Sequence, residues 1–323
     1  MRHSFSAGSG FFAVAAAVFL AWPTAASAQL GGTPYVDPRV LDLEIKCNKL
    51  QDTINKLEGV VGDLLTRLAC VSRQTGEING VSGPHLLITG CNVHIRSGSG
   101  ATIDATTNLG NLIIGYNEGR GIAEDTTNRT GSHTLIIGPQ HQFTSSGGLL
   151  AGHSNTVTNN FASVSGGAGN TASGQDASVS GGSDNTASAF AASVSGGQSN
   201  TASGETASVS GGGGNTASGD RASVSGGFAN TASGLVASVS GGEFNMASGG
   251  SASVSGGIEN TASGTRASSV SGGANNTASG FEASVSGGQN NTASGSRASV
   301  SGGNSRTASG PHDWAAGSLS EDN

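Results

Sequence analysis

The stretch ASVSGGAGNTASGQD, residues 162–176, is followed at once by ASVSGGSDNTASAFA, residues 177–191, and near-copies continue almost to the C-terminus. Close copies begin at Ala162, Ala177, Ala192, Ala207, Ala222, Ala237, Ala252, Ala267, Ala283 and Ala298. The consensus is A-S-V-S-G-G-x-x-N-T-A-S-G-x-x. One extra serine, Ser268 or Ser269, accounts for a single departure from the fifteen-residue period. That period falls in the range of β-solenoids and is shorter than helical repeats. The two alternating pieces, A-S-V-S and N-T-A-S, read as short strands, while G-G-x-x and G-x-x supply turns. Val164 and Ala172 are expected to face inward, with Gly166, Gly167 and Gly174 turning the chain. A flexible Gly/Ser linker would have no reason to hold Val at one position and Asn at another. Continuous ladders also exclude proline, and none lies between Pro139 and Pro311.

Upstream, Asn111-Leu112-Ile113-Ile114-Gly115, Thr134-Leu135-Ile136-Ile137-Gly138 and Gly148-Leu149-Leu150-Ala151-Gly152 read as early coils of the same structure. Aligning Leu112, Leu135, Leu149 and Val164 starts the repeat domain near Leu109, with degenerate coils over 109–161 and ten repeats over 162–310. Residues 77–108 form a β-rich connector, with strands expected at Leu86-Leu87-Ile88 and Asn92-Val93-His94-Ile95. Residues 311–323 form a C-terminal cap in which Trp314 closes the open end of the solenoid.

Ahead of the repeats, Asp37-Pro38 offers an N-cap followed by proline at the first helical position. From Val40 to Val71 the apolar residues alternate three and four apart, which predicts a coiled-coil stalk over 37–76. Cys47, Ile54, Val61 and Leu68 take a positions with Val40. Leu43, Leu50, Leu57 and Leu64 take d positions with Val71. β-Branched a residues with Leu at d favour a dimer, whereas Val60 and Leu65 widen the seam toward three strands. Cys47 at an a position is either a core residue or an interchain disulfide. Three cysteines in an exported chain imply a free thiol or an interchain bridge.

Residues 1–28 read as a secretory signal: Arg2 and His3, an apolar run from Phe11 to Trp22, and Ala26-Ser27-Ala28 as cleavage site, with a linker over 29–36. The chain is therefore expected to be exported, to the cell surface, the exterior or the periplasm, without a membrane-spanning segment after cleavage. Aromatic residues make up only 4% of the 323 residues against 55 glycines, which argues against one conventional core. The net charge of -7 speaks against nucleic-acid binding.

The repeats resemble the head repeats of trimeric autotransporter adhesins, whose pattern is S-V-A-I-G-x-x-A-x-A-x-G-x-x. Ser163-Val164-Ser165-Gly166-Gly167 and Asn170-Thr171-Ala172-Ser173-Gly174 carry the likeness. Gly166 stands where the family places a large aliphatic, and Ile114 and Ile137 restore it in the early coils. The resemblance implies a left-handed parallel β-roll, three chains side by side, on a coiled-coil stalk. The order differs, since here the stalk precedes the repeats, and the family's membrane-barrel anchor is not expected.

The fold class is thus mainly β, a parallel solenoid behind a helical stalk, with self-assembly into a homotrimer. One Val and two Ala per coil bury little apolar surface, and packing stacks side by side would bury more. No enzyme is expected: the serines lack a His/Asp constellation and the Gly-Gly pairs lack a phosphate loop's Lys-Ser/Thr. Asp176, Asp184 and Asp220 do not recur as a calcium nonapeptide requires, and His133, His141 and His153 read as surface histidines, so no metal or cofactor is expected. Candidate contact residues are the turn aromatics Phe190, Phe228, Phe244 and Phe281. A hydroxyl ladder of Thr171, Thr186, Thr201 and Thr216, interrupted at Met246, is a second candidate. The expected functions are adhesion to matrix, cell surface or glycan, binding of ice or crystalline polysaccharide by the ladder, or a passive spacer.

Overall fold

Asp37 caps a helix by accepting a hydrogen bond from the Arg39 N–H at 2.9 Å, and Pro38 follows at the first helical position. In the computed structural model, which describes residues 37–120, 128–317 and 319–321, this helix, α1, spans Pro38–Arg67. The expected signal and linker lie outside the described residues. The described chain divides into two units, one ending at Asn92 and one beginning at Val93.

In the first unit no residue of α1 is buried. Its apolar seam is therefore open along its whole length. The helix stops short of the expected Gly76: Leu68 is its C-cap, donating its N–H to the Leu64 carbonyl, while the Ala69 N–H donates to that of Thr66. A two-stranded antiparallel sheet takes over, β1 (Val71–Gln74) against β2 (His85–Ile88), with Val71 opposite Ile88. Cross-strand hydrogen bonding and a Cys70–Cys91 disulfide at the base of this hairpin satisfy the chain there better than another helical turn. Val71, expected at a d position, thus begins a strand. The strand expected at Asn92 to Ile95 does not form.

The second unit is a parallel β-solenoid. Ser163–Val164 pairs with Ser178–Val179 and so on upward, and Thr171–Ala172 pairs with Thr186–Ala187 in the same way. The first series belongs to a 15-stranded sheet and the second to a 12-stranded sheet. Between them, single bridges from His153 to Ala168, Ser183 and Gln198 continue as a third ladder at the first residue after each Gly-Gly. Every coil is thus bonded to the next at three places, for example Ser163 N–H to Ala177 O at 2.9 Å, Ala168 to Gly182 at 2.9 Å and Thr171 to Asn185 at 2.8 Å.

The second residue of each two-residue turn is left-handed, as at Asp176, Asp184, Arg221, Val236 and Phe244, with φ of 57–59°. The flipped peptide donates to the coil below, Asp184 N–H to Ala168 O at 3.0 Å and Val236 N–H to Asp220 O at 2.9 Å. This bond offsets the ~1–2 kcal/mol that an L-residue loses in that conformation.

The register of the early coils differs from the sequence alignment by one residue. Leu149 pairs with Ser163 and Leu150 with Val164, so the last step is fourteen residues and not fifteen. Ile136 and Leu150 are buried where Val164 is, and Leu112, Leu135 and Leu149 lie in the outward column. Period-two alternation makes a one-residue slip exchange the two faces, and burial of the larger Ile136 and Leu150 selects the register. Ile114 pairs with Ile137 and Ile137 with Ala151, so this column lies one residue away from the position of Gly166.

The glycine pairs resolve in the same way. Gly152 and Gly167 are both left-handed and each closes on the next coil, a Cβ on Gly152 lying 2.2 Å from Gly167 O and one on Gly167 lying 2.0 Å from Gly182 O. His153 bridges Ala168, so Gly166 is the residue by which the regular coils exceed the early ones. A Cβ at the equivalent Gly181, Gly196 or Gly211 would meet nothing. Gly174, by contrast, sits at a close approach, a Cβ added there lying 1.9 Å from Ala189 O, and Ala189 is the coil-to-coil equivalent that accommodates a Cβ. The extra residue near Ser268 is absorbed in a turn: Ser269 pairs with Ser253, Ala267 is left-handed, and Ser268 takes the buried place that Ala252 and Ala283 fill in neighbouring coils.

Candidate functional site

Four columns face inward in each regular coil, those of Ala162, Val164, Asn170 and Ala172. The one Val and two Ala expected to be buried per coil are the Val164, Ala162 and Ala172 columns. The asparagine column is the fourth, polar, inward position. Asn215 Oδ1 accepts the Asn230 N–H at 3.0 Å, and its Nδ2 donates to Gly211 O at 2.8 Å and Gly227 O at 3.0 Å. The same arrangement recurs from Asn155 to Asn291, each side chain closing its own turn and tying the coil above. A buried amide with its oxygen and nitrogen both used is stabilising, whereas a half-satisfied one would not be. The sequence signal was the invariance of Asn at one position, which a solvent-facing turn would not demand.

His141 belongs to this column. It is fully buried, which corrects its reading as a surface histidine, whereas His133 is half-buried and His153 exposed. Its N–H donates to Asn117 Oδ1 at 2.8 Å, Nδ1 accepts the Asn155 N–H at 3.2 Å, and Nε2 lies 3.0 Å from Ile137 O. The ring thus reproduces both ends of an asparagine amide with Nε2 protonated and Nδ1 free. Burial pushes its pKa below the ordinary histidine value, and the Arg120 charge acts in the same direction.

At the N-terminal end of the solenoid, a loop closes on Ser132 and Ser146. Ser132 Oγ donates to Asp104 O at 2.7 Å, and the two serine hydroxyls are 3.0 Å apart. Hydrogen bonds from the Thr107 hydroxyl, then the Thr106 N–H and hydroxyl, hold the Asp104 carboxyl far below the usual carboxylate range. At the other end, Trp314–Ala316 adds to the first sheet in parallel and Leu319–Glu321 then returns antiparallel beside it. Trp314 continues the outward column of Ser299, largely exposed, with its indole N–H donated to Ser301 Oγ at 2.9 Å.

The surface candidates fall on three strips. Thr171, Thr186, Thr201 and Thr216 stand in register on the second sheet, half-buried, and Met246 occupies the same column. Phe228 and Phe244 lie at the turn after Gly-Gly, exposed, with ring centroids 5.7 Å apart and planes nearly perpendicular. Phe190 and Phe281 lie at the other turn, and Arg297 covers the Phe281 ring at 5.8 Å while pairing with Glu282 at 3.1 Å. The stalk residues Leu43, Cys47, Leu50, Ile54, Leu57, Val61, Leu64 and Leu68 are all exposed, and the Cys47 thiol is free.

Among the described residues, no group of three His, Cys, Asp or Glu side chains is placed to hold a metal ion. Among them too, no helix is long and apolar enough to cross a membrane. The chain matches no protein-family model, and a comparison with curated proteins finds no relative for it.

Proposed function

We propose that this chain is a non-enzymatic, exported, self-associating fibre whose solenoid presents a rigid face for attachment to a cell surface, matrix or glycan. The observation that carries the reading is α1: thirty residues with an unbroken apolar seam and no buried side chain. Isolated helices of that kind are marginal in water, and further copies of the same seam are the simplest partner. Three strands suit the apolar Val60 and Leu65 beside the seam. The Cys70–Cys91 pair fits an oxidising compartment. The likeness of the repeats to trimeric autotransporter adhesin heads points to the same use, a stiff presenting surface on a coiled-coil stalk.

Light scattering on the mature protein is expected to give three times the chain mass, together with retention on a cell or matrix surface after export. A monomer at micromolar concentration would sink the assembly. Loss of surface retention alone would leave a spacer.

The in-register threonine column favours a second reading, a flat hydroxyl array that binds ice or a crystalline polysaccharide. Its periodicity follows the ladder spacing of roughly 4.8 Å. Freezing hysteresis, or pull-down on insoluble glycan that Thr201→Asp abolishes, would support it, and no effect in either assay would remove it.

A further inference from the structure

Seven large apolar side chains stand exposed in the regular repeats, and all but Phe190 lie within three consecutive coils, residues 222–267. The six are Phe228, Leu235, Val236, Phe244, Met246 and Ile258. Five of them occupy the two edges of the solenoid, and Met246 stands in the outward threonine column of the second sheet. Phe228, Phe244 and Ile258 lie at the turn after Gly-Gly, with Met246 beside Phe244. Leu235 and Val236 lie at the turn after A-S-G, where the chain passes back to the first sheet. At the same positions in other coils stand residues such as Ser183-Asp184, Gln289-Asn290, Glu205-Thr206 and Ser296-Arg297.

The charges are divided between the edges as well. Within these three coils the first edge carries Glu243 and Glu259 and no basic residue, and the second carries Arg266 and no acidic one. We infer that the two edges are the complementary halves of a self-association surface: the first edge of one copy seats the second edge of another, coil against coil in register. Register places Phe228 against Leu235 and Val236, the bulky Phe244 against Gly250-Ser251, and Glu259 against Arg266. A two-fold contact of one edge with itself would bring Glu243 and Glu259 onto their own copies and leave the other edge uncovered. A heterologous contact uses both edges of every copy, and a rotation between copies that closes makes it a ring. Phe228 is prepared for the contact, because its ring leans over Gly213, where a Cβ would lie 3.3 Å from it, and meets Phe244 edge-on.

The inference rests on the self-association proposed above, and the test separates the two. The full exported chain carries Cys47→Ser, leaving Cys70 and Cys91 bonded, with Glu259→Cys and Arg266→Cys added. Oxidation is expected to convert it to covalent oligomers on a non-reducing gel, while each single cysteine variant stays unlinked. Glu259→Cys with Arg221→Cys displaces one thiol by three coils, roughly 14 Å along the stack. That is beyond disulfide reach, so at least tenfold less cross-linked product is expected. An oligomeric mass without cross-linking of the in-register pair, or equal cross-linking of both pairs, overturns the edge assignment and leaves self-association standing. A monomeric mass overturns both.

Discussion

His141 Nδ1 accepts the Asn155 N–H at 3.2 Å, the place that Asn155 Oδ1 takes one coil later when it accepts the Asn170 N–H at 2.8 Å. The imidazole is therefore a neutral link in an otherwise amide column. Protonation would set a ring N–H against the Asn155 N–H.

That geometry fixes a pH dependence. The groups facing His141 are cationic: the Arg129 side chain donates to His141 O at 3.2 Å, and the Arg120 guanidinium donates to Gln140 O at 2.9 Å. Because the folded pKa is depressed, the folded state binds fewer protons, so stability is fully present above the unfolded value near 6.5 and falls as pH drops below it. The slope is at most ~1.4 kcal/mol per pH unit. His141→Asn is expected to remove this slope between pH 6.5 and 5. Thermal melts of both proteins across that range check it, and equal acid sensitivity would show the column insensitive to the ring's charge.

The asparagine column is expected to be costly to break. Asn215→Ala would strand the buried Asn230 N–H and remove three further hydrogen bonds, at about 1–3 kcal/mol for the unsatisfied group alone. Denaturant titration is expected to show a lower midpoint, and hydrogen exchange to show the faster opening confined to coils beside residue 215.

Neighbouring glycines are expected to respond oppositely. Gly211→Ala meets open space on an ordinary backbone, so its stability change is expected to stay within about 0.5 kcal/mol. Gly212→Ala combines a φ of 84° with a Cβ 2.1 Å from Gly227 O and is expected to cost more than ~2 kcal/mol. Paired unfolding curves decide it; a neutral Gly212→Ala would mean the coils can separate freely.

Ser268 fills an alanine position in the core, and its hydroxyl finds no hydrogen-bond partner. Ser268→Ala is expected to raise stability by about 1 kcal/mol. A drop in melting temperature would contradict that.

In the stalk, Leu50→Asp with Leu57→Asp is expected to abolish helical circular dichroism, because α1 buries nothing on its own chain. The solenoid's melt should move by less than the replicate error, its core lying wholly in the second unit. Helix retained at nanomolar concentration in the variant would refute a partner-dependent stalk.

The repeat made the solenoid legible in the sequence, because a constant Val and Ala at fixed spacing can only mean recurring inward positions, and the x positions announced themselves as turns by their variety. Asn170 and His141 were less legible. Polar residues read as surface unless their buried partners are known, and here those partners are carbonyls and N–H groups of neighbouring coils. The early coils were misread by one residue because Leu149-Leu150 offers two adjacent apolar candidates for one inward place.

The sequence by itself determined the period, the strand and turn positions within each coil and the apolar seam of α1, since all of these follow from spacing along the chain. Tertiary structure decided the register of the early coils, the role of each glycine and the burial of His141. It also placed five of the six exposed apolar residues on two edges at one height, with Met246 on the sheet between them. These depend on which backbone atoms of one coil meet those of the next, and that is a property of stacking.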